Sequence, residues 1–381
     1  MKVAILGFGV VGSGCYEVIK NASSVLEVKK VLDIAIKEGY EDVMTTDVND
    51  ILNDPEIEIV AETIGGLHPA FEFVSSCLKA KKHVVSSNKK LISEYFDELN
   101  ALAKENGVCL YFTSSSGGGI PWLSNVAKAK RCDFIYAIRG IINGTTNYII
   151  DKMQSENTDF NEVLKEAQEL GYAERDPSDD IDGFDVKRKC AISASVAFDR
   201  RVSEYDIPVF GIRSLTKDDI DYIDKLGYSI RLMAHAKKIG EEICAYVEPT
   251  IINKDEPEAA VKQNYNLISL WGKYSGRLSF YGQGAGKYPT GFGVVADMED
   301  IARGNILNLY SKQKVKADSS KETHKYYIRT KNPLDIPCEK QEKVGSVNVT
   351  ITYPMTVKAA HELYENLKER EDSVFFAGFD I

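Results

Sequence analysis

The chain lacks what a metal centre, a disulfide scaffold or a membrane span requires. Its five histidines, His68, His83, His235, His324 and His361, fall at no metal-ligand spacing. Its seven cysteines (Cys15, Cys77, Cys109, Cys132, Cys190, Cys244 and Cys338) are odd in number, scattered and without a CxxC pair. That pattern excludes a zinc or disulfide framework and points to reduced thiols in a cytosolic setting. No apolar run approaches the ~18–20 residues of a membrane span. Met1–Leu6 is too short, and too soon broken by glycine, for a signal peptide. Positive charge is short as well: 47 Lys plus Arg against 57 Asp plus Glu leaves a net charge of −10. That balance disfavours nucleic acid as a partner, though it permits small anions held locally. There is no internal repeat and no low-complexity tract. What remains is an ordinary globular composition, 44% hydrophobic and 27% charged over 381 residues. At ~100–200 residues per domain this length means two or three domains.

The first 130 residues alternate short apolar runs with helical spacing. Lys2–Leu6, Val28–Asp33, Ile57–Glu62, His83–Ser86 and Val108–Phe112 read as strands, and Gly12–Lys20, Pro69–Ala80 and Ile92–Asn106 as helices. Strands alternating with helices imply right-handed crossovers and a parallel sheet. Beyond residue 130 the pattern is mixed. Phe134–Ile142, Tyr228–His235 and Ile243–Val247 read as strands, and Thr146–Glu156, Phe160–Leu170 and Asp185–Asp199 as helices. Tyr281–Gly293 carries five of the 28 glycines and reads as turn-rich. Thr323–Thr330 and Ser346–Thr352 alternate as strands, and Val357–Arg370 closes the chain as a helix.

Gly7-Phe8-Gly9-Val10-Val11-Gly12 is a G-x-G-x-x-G run directly after a predicted strand and opening a predicted helix. In that context it reads as a dinucleotide-binding loop. The first glycine permits the tight turn, the second lets backbone approach a pyrophosphate, and the third lets helix pack on strand. The helix N-terminus adds N–H donors and a positive partial charge. Asp33 ends the second strand 21 residues after Gly12, where a carboxylate accepts hydrogen bonds from an adenosine 2′-OH and repels a 2′-phosphate. It favours NAD over NADP, with Lys29, Lys30 and Lys37 nearby; an ordinary loop aspartate is the alternative. Two further strands end in small polar segments, Thr63-Ile64-Gly65-Gly66 and Ser86-Ser87-Asn88-Lys89-Lys90. Strand C-termini are where such a sheet opens its ligand crevice. A lysine there meets the nicotinamide side of a substrate, unless Lys89 and Lys90 merely start a surface helix.

The densest functional cluster follows Ala167: Gly171-Tyr172-Ala173-Glu174-Arg175-Asp176-Pro177, then Ser178 to Asp185, then Val186-Lys187-Arg188-Lys189. Six carboxylates fall between Glu174 and Asp185. Their spacing does not fit a calcium-binding EF-hand loop, which leaves a solvated acidic loop or a site for a cation. Asp185 and Lys189 stand four apart and share a helix face. The helix continues Cys190-Ala191-Ile192-Ser193-Ala194-Ser195-Val196-Ala197-Phe198, apolar nearly all round and therefore buried. The pair is either a helix-end ion pair or catalytic. The chemistry suits a carbonyl reduction: an ammonium stabilises the alkoxide and delivers a proton, and in reverse the neutral amine accepts one. The surrounding acids suit a substrate bearing an amino group.

Taken together, these residues resemble the homoserine dehydrogenase family, whose members interconvert L-homoserine and L-aspartate 4-semialdehyde with a nicotinamide cofactor. The signature is Ala167, Gly171-Tyr172-Ala173, Asp176-Pro177, Asp180-Ile181, Gly183, Asp185 and Lys189. Gly7–Gly12, Ser87–Lys90, Gly117–Pro121, Asn143–Tyr148, Gly282–Gly286, Pro289-Thr290 and Asp297 match in support, so that the resemblance covers roughly 1–310. It implies Lys189 as the acid/base lysine, Asp185 at homoserine, Glu174 and Asp180 on its amino group and hydroxyl, and Lys89 close to cofactor and substrate. It implies Asn143, Gly144, Thr145 and Tyr172 in the substrate pocket. On the cofactor side it implies Ile64, Gly65, Gly171, Glu174 and Gly284-Ala285-Gly286 beside the glycine loop and Asp33. Members pair as homodimers through the second domain and serve threonine and methionine biosynthesis.

The resemblance has two departures. The family's glutamate before the glycine turn, a sodium ligand, is matched by Thr113. Only the carbonyls of Ser116, Gly118 and Ile120 then remain for a sodium ion, and no metal residue is assigned. His324–Arg329 resembles the first strand of a regulatory ACT domain, but the turn and helix that should follow are missing. The expected organisation is α/β. Residues 1–130 form a Rossmann-type doubly wound parallel sheet, rejoined by 284–310. Residues 131–283 form a mixed α+β catalytic and dimerisation domain. Residues 311–381 form a short appendage of two or three strands and one helix, too little for threonine-responsive regulation. A dehydrogenase of another amino-acid aldehyde and a non-catalytic nucleotide sensor are the competing functions. The sensor should lack the constellation Lys89, Glu174, Asp180, Asp185 and Lys189, which is complete here.

Overall fold

The computed structural model describes residues 1–310 and 313–381. The chain forms two compact units. The first holds Met1–Cys132, Ser195–Asp199 and the stretch that opens at Gly282; the second holds Asp133–Ala194, Arg200–Tyr281 and the stretch from Gln313 to Ile381.

The first unit runs β1 (Lys2–Leu6), α1 (Val10–Ala22), β2 (Glu27–Leu32), β3 (Met44–Thr45), α2 (Asn49–Leu52), β4 (Ile57–Glu62), α3 (Ala70–Lys79), β5 (His83–Ser86), α4 (Lys89–Asn106), β6 (Leu110–Tyr111) and α5 (Trp122–Ala129). Its six strands pair in parallel in the order β3-β2-β1-β4-β5-β6. This is the doubly wound order expected from the alternation, with the switch point between β1 and β4. β1 is buried from Val3 to Leu6, which is why a parallel strand reads as an unbroken apolar run. α4 starts three residues before the apolar spacing predicts, because the Asn88 side chain caps it by accepting from the Leu91 N–H at 3.1 Å. It stops at Gly107, whose φ of +69° takes the left-handed cap.

The second unit contributes β7 (Ile135–Ile141), α6 (Gly144–Glu156), α7 (Phe160–Glu169), α8 (Ser178–Ile181), α9 (Phe184–Phe198) as far as Ala194, β8 (Arg201–Val202), α10 (Lys217–Lys225), β9 (Tyr228–Ile239), β10 (Glu242–Asn253), β11 (Tyr265–Gly272) and β12 (Gly276–Gln283) as far as Tyr281. The chain then returns to the first unit through α11 (Lys287–Ala302). Tyr281–Gly293, read from its glycines as turn-rich, is therefore the end of a strand and the start of a helix. Gly284 to Gly286 form the bend between the two, whereas Gly291 and Gly293 serve close packing within the helix. A Cβ on Gly291 would stand 2.8 Å from the Gly14 carbonyl carbon, and one on Gly293 2.4 Å from the Gly118 oxygen.

The C-terminal stretch adds β13 (Lys314–Val315), β14 (Thr323–His324), β15 (Tyr326–Thr330), β16 (Cys338–Val344), β17 (Val347–Thr352), β18 (Met355–Thr356), α12 (Val357–Lys368) and β19 (Phe375–Phe379). Four of these strands join the sheet of the second unit, whose order is β12-β11-β7-β9-β10-β19-β15-β17-β16. The stretch thus extends that sheet with more strands than the expected two or three. The reason lies in its last element: Phe375-Phe376-Ala377-Gly378-Phe379 is buried throughout and slots between β10 and β15, parallel to the former and antiparallel to the latter. Among the described residues no helix is long and apolar enough to cross a membrane.

Candidate active site

In the first unit the strand ends at the switch point of the sheet carry the glycine loop, Asp33, Ile64 and Gly65. Gly7 leaves β1 with φ +91° and donates its N–H to the Leu32 carbonyl at 2.8 Å. A Cβ on Gly12 would stand 1.9 Å from the Gly7 oxygen, so no other residue closes this turn. Gly9 has nothing within 4 Å of the position a Cβ would take. Behind it Val10 and Val11 open α1, whose first N–H groups have no intrahelical acceptor. A tight turn, an open glycine and a helix N-terminus form a cradle that suits a pyrophosphate. Asp33 is tied into the same loop. One carboxylate oxygen accepts the Phe8 N–H at 3.0 Å, the other the Ile34 N–H at 2.7 Å, and Lys37 lies 3.5 Å away. Lys37 also donates to the Phe8 carbonyl and sits over the Phe8 ring.

The neighbouring strand ends are organised by a residue that the motifs did not single out. Glu62, fully buried at the end of β4, accepts the N–H groups of Ile64 at 2.9 Å and Gly65 at 3.1 Å, and the Ser86 hydroxyl at 2.6 Å. Burial pushes its carboxyl above the usual range against these hydrogen bonds. Ser86 in turn accepts the Asn88 N–H at 3.1 Å, and the Asn88 amide donates to the Gly66 carbonyl at 2.6 Å. Lys89 is the half-buried first residue of α4, and Lys90 beside it is exposed. The only sequence signal for Glu62 was an acid closing a buried strand, an anomaly that calls for partners.

Gly284-Ala285-Gly286 leads into α11, and a Cβ on Gly118 would meet the Gly284 oxygen at 2.4 Å. Thr113 gives its N–H and hydroxyl to the two carboxylate oxygens of Asp297 at 2.8 and 2.6 Å. Asp297 is buried, and desolvation raises its pKa to about 7.

In the second unit the acidic turn folds onto the end of β7. Asn143 caps α6: its side-chain oxygen accepts the Thr146 N–H at 2.9 Å, while its amide donates to Asp180 at 2.7 Å and to Asp185 at 2.8 Å. Lys189 is 7% exposed. It donates to Asp185 at 2.7 Å and to the Ile142 carbonyl at 2.9 Å. Burial, and then the charge of Asp185, raise the pKa of Asp180. Thr145 donates to the Tyr172 carbonyl at 2.7 Å, and a Cβ on Gly144 would stand 2.6 Å from the Asn264 oxygen. The structure thus brings together Asn143, Gly144, Thr145, Tyr172, Asp180, Asp185 and Lys189. It leaves Gly171 and Glu174 on the exposed turn, where Glu174 accepts from Gln168 through its backbone carbonyl.

A strand order that places a glycine cradle at its switch point, joined in one chain to a buried lysine–carboxylate pair, defines a nicotinamide-nucleotide-dependent oxidoreductase. Comparison with known proteins specifies which. The sequence profile described as homoserine dehydrogenase matches residues 121–299, and that described as homoserine dehydrogenase, NAD binding domain, matches 7–113. The homoserine dehydrogenase of Bacillus subtilis is 39% identical over 322 residues, 81% of this chain and 74% of that one. A homoserine dehydrogenase structure from Thiobacillus denitrificans superposes with a TM-score of 0.88 at 29% identity, covering 100% of this chain and 98% of that one. A hyperthermophilic archaeal homoserine dehydrogenase solved in complex with NADPH superposes with a TM-score of 0.68 at 27% identity, over 81% of this chain and 100% of that one. The chain belongs to the homoserine dehydrogenase family.

Proposed function

We propose that this chain interconverts L-homoserine and L-aspartate 4-semialdehyde with Lys189 as its acid/base group and NAD as its preferred cofactor. The observation that carries this reading is the buried Lys189 ammonium, held by Asp185 at 2.7 Å and by the Ile142 carbonyl at 2.9 Å. An ammonium has three N–H donors, and two are spent on these groups; the third serves the substrate oxygen. The bound nicotinamide supplies the hydride acceptor for alcohol oxidation and the donor for the reverse.

In the oxidative direction the neutral Lys189 amine takes the hydroxyl proton. In the reductive direction its ammonium returns that proton to the oxygen of the aldehyde. Asp185 orients the lysine, and Asn143 holds Asp185 and Asp180 at a fixed spacing. Asp180 and Glu174 receive the substrate ammonium. Gly144, Thr145 and Tyr172 shape the pocket, and Lys89 adds a second cation. Gly7 to Gly12, Ile64, Gly65, Gly171, Glu174 and Gly284 to Gly286 hold the nucleotide. The preference for NAD rests on Asp33, whose charge opposes a 2′-phosphate, and Lys37 tempers that preference. No sodium ion is assigned, because Thr113 brings no charge to the position of the glutamate.

A homodimer fits the apolar residues left exposed around β7, β11 and β12, namely Phe134, Tyr136, Tyr274, Leu278 and Tyr281. The seven free cysteines fit a reducing cytoplasm. The test is homoserine-dependent reduction of NAD and of NADP, measured side by side for the wild type and Asp33→Asn, with the mass in solution from light scattering. The reading expects turnover with both, a lower KM for NAD, and a shift toward NADP in the variant. Absence of homoserine-dependent turnover with either nucleotide would overturn it.

A further inference from the structure

The connection Gly211–Thr216 lies outside every motif, yet it joins the C-terminal stretch to the acidic turn. On one side it grips α8, the short helix that carries Asp180. Ile212 donates its N–H to the Ile181 carbonyl at 2.7 Å. Gly211 is so close that a Cβ would stand 2.0 Å from that oxygen. Arg213 forks onto Asp182, with Nε to Oδ1 at 2.7 Å and Nη2 to Oδ2 at 2.6 Å, and reaches Ser178 at 3.0 Å. The start of this single-turn helix and its C-cap, Asp182, are thereby held by one guanidinium.

On its other side the same connection is held by the C-terminal stretch. The buried Arg329 of β15 donates to the Ser214 carbonyl and the Thr216 hydroxyl, both at 2.7 Å, and also to the Ser373 carbonyl at 2.7 Å. Ser214 returns its hydroxyl to the Val374 carbonyl at 2.8 Å. Beside this connection lies a cavity of about 1090 Å³, lined among others by Arg213, Leu215, Phe184, Tyr364 and Lys368. Buried Ile212 and Leu215 anchor the connection by packing, and these hydrogen bonds fix its path beside the open space.

We propose that Gly211–Thr216 is a strap through which the C-terminal stretch holds Asp180 in register with Asn143 and Asp185, and that Arg213 is a positioning residue for an ammonium-bearing substrate. This rests on the reading that Asp180 receives the substrate amino group. It gives residues 313–381 a catalytic purpose independent of any regulatory ligand.

The test uses the full chain with Arg213→Ala, Arg213→Lys, Gly211→Ala and Asp180→Asn, measuring KM for homoserine, KM for NAD, kcat and melting temperature. Arg213→Ala raises the homoserine KM about three- to fivefold, the scale of an exposed ion pair, and leaves the NAD KM and the melting temperature unchanged. Arg213→Lys recovers part of that loss. Gly211→Ala, which must displace α8, raises the homoserine KM about tenfold or more. In the Asp180→Asn background Arg213→Ala adds nothing further to the homoserine KM, a coupling that a merely structural role would not produce. If Asp180→Asn alone leaves that KM unchanged, the assignment of Asp180 falls and the strap with it. If Asp180→Asn raises it but Arg213→Ala does not, or if Arg213→Ala shifts both KM values equally, the strap alone falls.

Discussion

Replacing Lys189 by alanine removes a cation that is nearly enclosed and leaves the 3% exposed Asp185 without it. Breaking a buried pair by deleting one partner costs about 3–5 kcal/mol. At ~2–4 °C per kcal/mol, that lowers the melting temperature of the second unit by roughly 6–20 °C. The loss is pH-dependent with a definite sign. Without Lys189 the buried Asp185 carries a charge that this ammonium no longer offsets, and protonating the carboxyl relieves the cost, so the deficit grows as pH rises. Calorimetry at about pH 5 and about pH 8 should therefore show the gap between variant and wild type widening with pH. Catalysis separates from stability in a second variant. Lys189→Arg keeps the charge next to Asp185 but cannot shed its proton. It should melt close to wild type and still lose turnover in homoserine oxidation by about 10²–10⁴-fold, the usual worth of a positioned acid or base. Either variant oxidising homoserine within about tenfold of wild type would refute Lys189 as the proton carrier.

Gly12→Ala places a Cβ 1.9 Å from the Gly7 oxygen, so the loop must open. Titration by NADH fluorescence should show cofactor binding weakened by about 100-fold or more. Asp297, with a folded-state pKa of about 7, makes the first unit more stable when protonated. Its contribution is present at acid pH and lost as pH rises through about 7, and in Asp297→Asn this slope should flatten in thermal melts. The raised pKa of Asp180 predicts that the homoserine KM increases as pH falls through that value, since a protonated carboxyl no longer attracts an ammonium. In Asp180→Asn the KM should be high and independent of pH over the same interval.

What was legible in the sequence was whatever a local rule enforces. The glycine loop is visible because Gly7 takes a positive φ and Gly12 answers a clash with Gly7 itself, and β1 because a buried parallel strand is unbroken in apolarity. Lys189 and Asp185 are visible because they share a face of a helix too apolar to be solvated. What was not legible depends on partners remote in the chain. Gly291 and Gly293 look like turn residues until the helix they sit in is placed against Gly14 and Gly118. β19 has the composition of any short aromatic run, and only its pairing with Thr250 and Ile251 makes it an interior strand. Thr113 reads as a missing sodium ligand. Its actual partner, Asp297, lies 184 positions away.

The acidic turn shows how a single compositional signal divides on folding. Six carboxylates between Glu174 and Asp185 would repel one another if all faced one solvent volume. The structure instead gives three of them separate counterparts: Asp176 accepts from Ser178 at 2.6 Å, Asp179 pairs with Arg188 at 3.2 Å, and Asp182 pairs with Arg213. Asp180 and Asp185 turn inward, where Asn143 bridges them and Lys189 brings positive charge. The charge of Asp185 raises the pKa of Asp180 beyond the effect of burial, and a substrate ammonium is a group that would relieve it. The framework acids set the backbone path that makes the inward pair possible. The cluster therefore divides into acids that hold the local backbone and an inward pair that meets Asn143 and Lys189, a division visible only once those partners are placed.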